Sequence, residues 1–336
     1  MTGASGLLGA CLVERLRARG TPLRRLDVVP PPEDGATAGE FVLADLRDRR
    51  AVADACRDVE VVYHLAAAQR MKPQFAALGE DEIHAMNVAG VENVLDAALE
   101  TGVQKVVHIS SSGVYGVPRT VPVSEDHPQR PLGAYGRSKI AGEQACRRAL
   151  DRGLNVTVFR PMSLFGPRMT GVFVLLFDWI RRGRRVYLLG AGRNRVQMAS
   201  AWDVADACLL AVERPESRGA VMNLGAEEVP AVRAQIEALI AHAGSPARVV
   251  AIPAGLLRNA GRLLHVVGLS PIVPEHYLLA DKTFVLDVSR ARALLGWRPR
   301  ETNVTMTIAA YDWYVAHGER YRPQPNPVLR LLDALP

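Results

Sequence analysis

Thr2-Gly3-Ala4-Ser5-Gly6-Leu7-Leu8-Gly9 sets three glycines at a GxxGxxG spacing and opens onto an amphipathic stretch, Leu7–Arg19. In such a loop the early glycines permit a tight turn and close approach of the backbone to a pyrophosphate. The last glycine lets the helix pack on a sheet, and the helix N–H groups face the anion. A Gly-rich turn before a helix also serves as an ordinary cap, so a second signal is needed. Asp27 supplies it, at the end of the next β-rich run and about twenty residues on, where a carboxylate meets adenosine ribose hydroxyls. Its charge also repels a 2′-phosphate, which favours NAD over NADP, although Arg24 and Arg25 beside it work against that preference. Gly3, Ser5, Gly6, Leu7, Leu8, Gly9 and Asp27 are therefore candidate cofactor contacts. Only Met1 and Thr2 precede the loop, where a central strand is expected. The expectation is a truncated first strand, with the native polypeptide beginning upstream.

Outward from the loop, β-rich runs at Leu23–Val29, Glu40–Leu43, Val59–Leu65, Val103–Ser110 and Asn155–Arg160 alternate with helical stretches. The helical stretches are Leu7–Arg19, Asp48–Cys56, His84–Glu100 and Tyr135–Arg152. Strand–helix alternation with continuous apolar strands predicts an α/β fold, a doubly wound parallel sheet of the Rossmann type. From about Ser163 the pattern turns irregular, with helices at Val172–Arg182, Trp202–Glu213 and Val232–Gly244. A Pro-punctuated segment (246–274), a strand at Thr283–Asp287 and a helix ending at Gly296 follow. The division expected is 1–162 for the dinucleotide-binding domain and 163–336 for a smaller α/β substrate domain. A segment near 195–213 is expected to return to the first domain. Apolar Ala254–Val273 reads as a packing helix or a lid over a greasy substrate, and Arg322–Pro327 as a surface tail.

Composition narrows the field. The chain has 336 residues, 49% apolar and 23% charged, which is ordinary for a protein with a full core and excludes disorder as a description of the whole. Lys and Arg exceed Asp and Glu by 41 − 35 = 6, almost all of the excess being Arg. The dense run Arg181-Arg182-Gly183-Arg184-Arg185 lacks the interleaved aromatics or reading helix of a nucleic-acid footprint and reads as a solvated helix end. Cys11, Cys56, Cys146 and Cys208 are scattered without metal-ligand spacing, so no metal is expected. Gly171–Ile180 is too short to span a bilayer and the N-terminus lacks a basic leader, so a cytoplasmic, membrane-free protein is expected.

The chemistry lies further on. His108-Ile109-Ser110-Ser111-Ser112-Gly113-Val114-Tyr115-Gly116 follows a strand, and Tyr135-Gly136-Arg137-Ser138-Lys139 opens a helix. Tyr and Lys at i, i+4 share one helical face. A Tyr works as an acid–base group once its pKa falls from about 10 toward neutrality, which a neighbouring ammonium and an oxidised nicotinamide both favour. A Ser hydroxyl then holds the substrate oxygen while hydride moves to or from the cofactor.

These motifs resemble the extended short-chain dehydrogenase/reductase superfamily, the NAD-dependent epimerase/dehydratase group. The likeness extends to Ala44-Asp45-Leu46, His64-Leu65-Ala66-Ala67, Asn87, Phe159-Arg160-Pro161, Phe165-Gly166-Pro167 and Leu294-Leu295-Gly296-Trp297 with Pro299. The resemblance implies a Ser111/Tyr135/Lys139 triad. It also implies an adenine contact at Asp45 and further cofactor contacts at Leu46, Leu65, Ala66, Ala67, Asn87, Ser110, Pro161 and Met162, besides Tyr135 and Lys139. A homodimer is a family expectation.

The departures from the family pattern matter as much. Sugar-nucleotide 4,6-dehydratases carry Asp-Glu where Ser112 and Gly113 stand, so the acid and base for water loss are missing, as is the Glu of UDP-glucuronate decarboxylases. Ser163 replaces a usual Asn, and Val196 a usual diphosphate-binding Arg. Arg168, Arg193 and Arg195 stand close by as substitutes, which leaves Ser112, Ser163, Arg168 and Arg195 as substrate candidates. The resemblance points first to a nucleotide-sugar epimerase. The alternative is a 3β-hydroxysteroid dehydrogenase- or dihydroflavonol reductase-like oxidoreductase on a non-nucleotide alcohol or ketone. A binding module without catalysis is the third class, and the intact triad speaks against it.

Overall fold

In the computed structural model the described residues are 1–31, 39–69, 75, 78–166, 172–252, 279 and 281–317. Among them the first half reads as strand and helix in turn. Leu7–Ala18 (α1), Arg24–Asp27 (β1), Glu40–Leu43 (β2), Arg49–Cys56 (α2), Val61–His64 (β3) and Glu80–Glu100 (α3) come first. Lys105–Ile109 (β4), Ala134–Asp151 (α4), Val156–Pro161 (β5) and Ser163–Phe165 (β6) follow. β4 and β5 are buried along their whole length, as strands of a parallel sheet covered on both faces must be. Asp48 starts α2 by accepting from Arg50 N and Ala51 N, each at 3.0 Å, which satisfies two helix-end donors.

The second half contains Val172–Arg181 (α5), Arg185–Leu189 (β7), Met198–Ser200 (β8), Ala201–Glu213 (α6), Val221–Leu224 (β9) and Val232–His242 (α7). Arg248–Ile252 (β10), Ser289–Leu295 (α8) and Asn303–His317 (α9) complete it. Gly296 ends α8 at φ +67°, a left-handed cap that glycine adopts without a Cβ penalty.

The sheet runs β3-β4-β5-β9, all parallel, with a parallel β1-β2 pair beside it. Between the two, where a central strand is expected, stand Met1 and Thr2. Thr2 bridges Leu26 on one side and His64 on the other. Met1 O accepts from Leu26 N at 2.8 Å, Thr2 N donates to Tyr63 O at 3.0 Å, and Leu65 N donates to Thr2 O at 3.2 Å. Two residues thus carry the pairing of the central position and deliver the chain to Gly3.

α1 and α6 pack on one face, joined by Arg15 to Asp206 at 2.8 Å, while α2, α3 and α4 cover the other. The segment expected to return near 195–213 runs on through β9, which pairs with β5, and α8 packs against β9. A second core, built on Phe177, Trp179, Ile180, Leu239, Tyr311 and Tyr314, joins α5, α7 and α9 to the parallel β7-β10 pair. Thr283–Asp287, expected as a strand, makes only single bridges, Phe284 to Val196 and Leu286 to Val123. Arg168, Pro167, Ala254–Val273 and Arg322–Pro327 lie outside the described residues. Among the described residues no helix is long and apolar enough to cross a membrane, and no group of three His, Cys, Asp or Glu is placed to hold a metal ion.

Candidate active site

The glycine loop leaves β1's neighbour and turns at Gly3, φ +70°. A Cβ on Gly3 would lie 2.6 Å from Ala66 N, and one on Gly9 would lie 2.4 Å from Gly3 O. Both distances are shorter than real Cβ atoms show, so the loop, the start of α1 and the end of β3 approach too closely for any side chain. Asp27 locks this arrangement. Its carboxylate accepts from Ser5 N at 2.9 Å and from Val29 N at 3.2 Å, and Ser5 Oγ donates to Val29 O at 2.7 Å. Leu8 enters the core and Leu7 packs against it, so their side chains seat α1.

A cleft opens beyond the loop, lined by the predicted Gly3, Asp27, Asp45, Leu46, Ala66, Ala67 and Asn87, with His64, Ala68, Met86 and Gly90. Glycines that no side chain can replace, a carboxylate at the strand end and apolar walls fit a dinucleotide. Three of the expected contacts prove to be braces as well. Asn87 accepts from Ala68 N at 2.7 Å and donates to Ala68 O and Ser138 Oγ, fixing the 65–68 segment. The Asp45 carboxylate is gripped by the Arg47 guanidinium at 2.7–3.1 Å, which holds its pKa below the usual carboxylate range. The Ser110 hydroxyl turns away into the protein and donates to Glu143 Oε1. Pro161 and Met162, at the end of β5, are buried, with Met162 N on Leu224 O.

Ser111, Tyr135 and Lys139 come together where β4 ends against the start of α4. Ser111 caps a short 3-10 turn, its Oγ accepting from Gly113 N at 3.1 Å. The Tyr135 hydroxyl hydrogen-bonds with Ser111 and with Gln69. Lys139 Nζ donates to Ile109 O at 2.8 Å and lies 5.7 Å from the Tyr135 ring centre. Burial pushes the Tyr135 phenol above its ordinary value, and the Gln69 and Ser111 hydrogen bonds pull it partly back. That direction is the free protein's, whereas the depression expected from the sequence counts on an oxidised nicotinamide beside the ring. Removing a phenolate from water outweighs the hydrogen bonds it gains.

Of the substrate candidates, Ser112 is buried, whereas Ser163 and Arg195 are exposed. Val196 packs against the core beside Phe284, so the position of the missing Arg is apolar. Sequence reasoning missed Gln69 and Glu143. Gln69 follows the His64-Leu65-Ala66-Ala67 segment with no motif of its own. Glu143 lies eight residues beyond Tyr135 on the same helical stripe, a spacing that was there to be read.

Comparison with known proteins gives the family. The model of the NAD dependent epimerase/dehydratase family matches residues 1–225, and the chain belongs to that family. It is an enzyme of the extended short-chain dehydrogenase/reductase class with NAD as its cofactor. An uncharacterised Sinorhizobium fredii protein, y4nG, is 35% identical over 94% of this chain and 78% of its own length. A UDP-glucose 4-epimerase of Mycolicibacterium smegmatis is 30% identical over 89% and 93%. A Stigmatella aurantiaca 4-hydroxy-2-methyl-3-oxo-4-farnesyl-3,4-dihydroquinoline-1-oxide ketoreductase is 29% identical over 90% and 92%. Among solved structures, MoeE5 in complex with UDP-glucuronic acid and NAD superposes with a TM-score of 0.75 at 25% identity, covering 94% of this chain and 97% of that one.

Asp27 gives the cofactor a direct test. Asp27→Asn keeps the acceptor for Ser5 N but removes the charge that repels a 2′-phosphate. The NAD-to-NADP affinity ratio, measured by nucleotide titration, is expected to fall about tenfold or more, the scale of a like-charge contact. Wild-type protein binding NADP more tightly than NAD would mean that Arg24 or Arg25 outweighs Asp27.

Proposed function

We propose that the protein is an NAD-dependent nucleotide-sugar epimerase that inverts one carbinol centre through a transient ketone. The observation that carries this reading is a Ser111–Tyr135–Lys139 site with Ser112 and Gly113 where a dehydratase needs an acid and a base. Such a site moves one proton at one oxygen and has no second acid–base pair for eliminating water. Bound NAD supplies a reversible hydride acceptor. Ser111 Oγ holds the substrate oxygen beside Tyr135. The Tyr135 phenolate takes the hydroxyl proton and later returns it. Lys139, fixed on Ile109 O, holds its side-chain nitrogen beside the phenol ring. The 30% identity to a UDP-glucose 4-epimerase over most of both chains supports a nucleotide-sugar substrate.

A second reading, net reduction or oxidation of a non-nucleotide alcohol or ketone, is favoured by Val196 and by the ketoreductase relative. An apolar position where a diphosphate-binding Arg is usual suits an uncharged substrate. Incubation with UDP-, dTDP- and GDP-sugars, and separately with steroid and aryl ketones, separates the two. A sugar-nucleotide isomer formed without net NADH absorbance is the expected result. NADH consumed in step with a non-nucleotide ketone, with no sugar nucleotide converted, would replace the epimerase reading with the second.

A further inference from the structure

Three successive residues at the end of β4 are each held by a residue of α4. Lys139 Nζ donates to Ile109 O at 2.8 Å, Ser110 Oγ donates to Glu143 Oε1 at 2.5 Å, and Ser111 hydrogen-bonds with the Tyr135 hydroxyl. Tyr135, Lys139 and Glu143 stand four residues apart and therefore share one stripe of the helix. Two of these contacts belong to the triad. The third, through Glu143, belongs to no motif that defines the site.

Glu143 is itself rigidly placed. Arg160 meets it side-on from β5, Nε to Oε1 at 2.9 Å and Nη2 to Oε2 at 2.6 Å, with both side chains less than a tenth exposed. Gln129 Nε2 donates to Oε2 at 2.8 Å. The remaining Arg160 nitrogen, Nη1, donates to Tyr115 Oη and to Glu125 O, each at 2.9 Å. Tyr115 in turn donates to Asn223 Oδ1 on β9 at 2.7 Å. A bidentate charged pair has little rotational freedom, so the carboxylate offers Ser110 one fixed acceptor. An ion pair whose work is only to join α4 to β5 has no need of the residue next to Ser111. The short Ser110 contact is the feature that such a role leaves unexplained.

We propose that Glu143, oriented by Arg160, is a positioning residue that seats Ser110 and so fixes where Ser111 Oγ stands against Tyr135. The proposal rests on the reading of Ser111 and Tyr135 as the reacting pair. Glu143 touches neither substrate nor cofactor, and it acts through a neighbour in the chain.

The test separates placement from stability by using Ser110→Ala, which removes one hydroxyl and leaves the buried ion pair intact. On the substrate that those incubations identify, kcat is expected to fall about 10- to 100-fold, the cost of a small misplacement, with KM unchanged. Glu143→Gln should show the same split, and adding Ser110→Ala to it should cost nothing more. A readout without substrate is the phenolate titration of Tyr135, taken as an ultraviolet difference against Tyr135→Phe. Loosening the Ser111 hydrogen bond, which favours phenolate, should move its midpoint upward in Ser110→Ala. Wild-type kcat and an unmoved midpoint in Ser110→Ala overturn the proposal, as do losses that multiply in the double variant. If Glu143→Gln does not fold, Ser110→Ala alone decides. Full activity in Tyr135→Phe would instead remove the underlying reading, so the two failures are told apart.

Discussion

Replacing Tyr135 by Phe is expected to lower turnover by about two to four orders of magnitude, the usual range for a positioned acid–base group. The ring stays, so its packing beside Lys139 and Gly113 stays, and both melting temperature and NAD affinity should hold. What goes is the one oxygen that hydrogen-bonds with both Ser111 and Gln69. Lys139→Ala should lose turnover and cofactor affinity together, because it removes both a charge beside the phenol ring and the brace on Ile109 O. Ser111→Ala should lose turnover with a smaller change in binding. In the free protein, burial sets the phenol above its ordinary value, so activity should rise with pH as Tyr135 deprotonates. A Tyr135→Phe enzyme that retains full activity on the substrate found would show that hydride chemistry here does not run through the Tyr–Lys pair.

Much of this site was legible in the sequence because its determinants are local. The glycine loop, Asp27 at a strand end and Tyr135 one turn before Lys139 each depend on residues close together in the chain. β4 and β5 read as buried strands because a sheet covered on both faces asks for unbroken apolar runs. The same fact hid His64 and His108. In a strand buried on both sides no alternation marks which residues face what, so two polar rings in the core looked like ordinary strand positions. β9 has only four residues, and its place is set by pairing with β5 some sixty residues earlier, which no local pattern reports. The apolar face of α9, Met306, Ala310, Tyr311 and Tyr314, is interleaved with Asn, Thr and Asp, and its period is weak for that reason. Glu143 sat on a readable stripe. Its partners, Ser110 on one strand and Arg160 on another, are brought to it only by the fold.

Stability is expected to fall steeply as the pH drops below about 6.5, with His64 and His108 as the cause. These rings are register partners on β3 and β4, stacked with centroids 5.2 Å apart and almost wholly shielded from water. Thr2 Oγ1 meets His64 Nδ1 at 2.7 Å, but His64 Nε2 and both nitrogens of His108 meet no polar group among the described residues. Burial keeps both rings neutral, helped at His64 by the nearby Lys139 and N-terminal charges and at His108 by His64 and Lys139. The His64 pKa is lowered to about 3 and that of His108 well below its ordinary value. An unfolded chain protonates both near pH 6.5, so below that point the unfolded state binds more protons than the folded one. The stabilisation is complete above about pH 6.5 and is lost on acidification, at about 1.4 kcal/mol per pH unit for each ring. For two rings that is roughly 3 kcal/mol per unit, against a total stability on the order of 5–15 kcal/mol. Melting temperatures measured from pH 7.5 down to 5 should therefore drop before most carboxylates titrate. His108→Phe keeps a flat ring in the stack and removes two buried nitrogens that have no hydrogen-bond partner among the described residues. It should melt higher than wild type at pH 5 and lose about half of the slope. An unchanged slope in His108→Phe would place the acid sensitivity elsewhere in the protein.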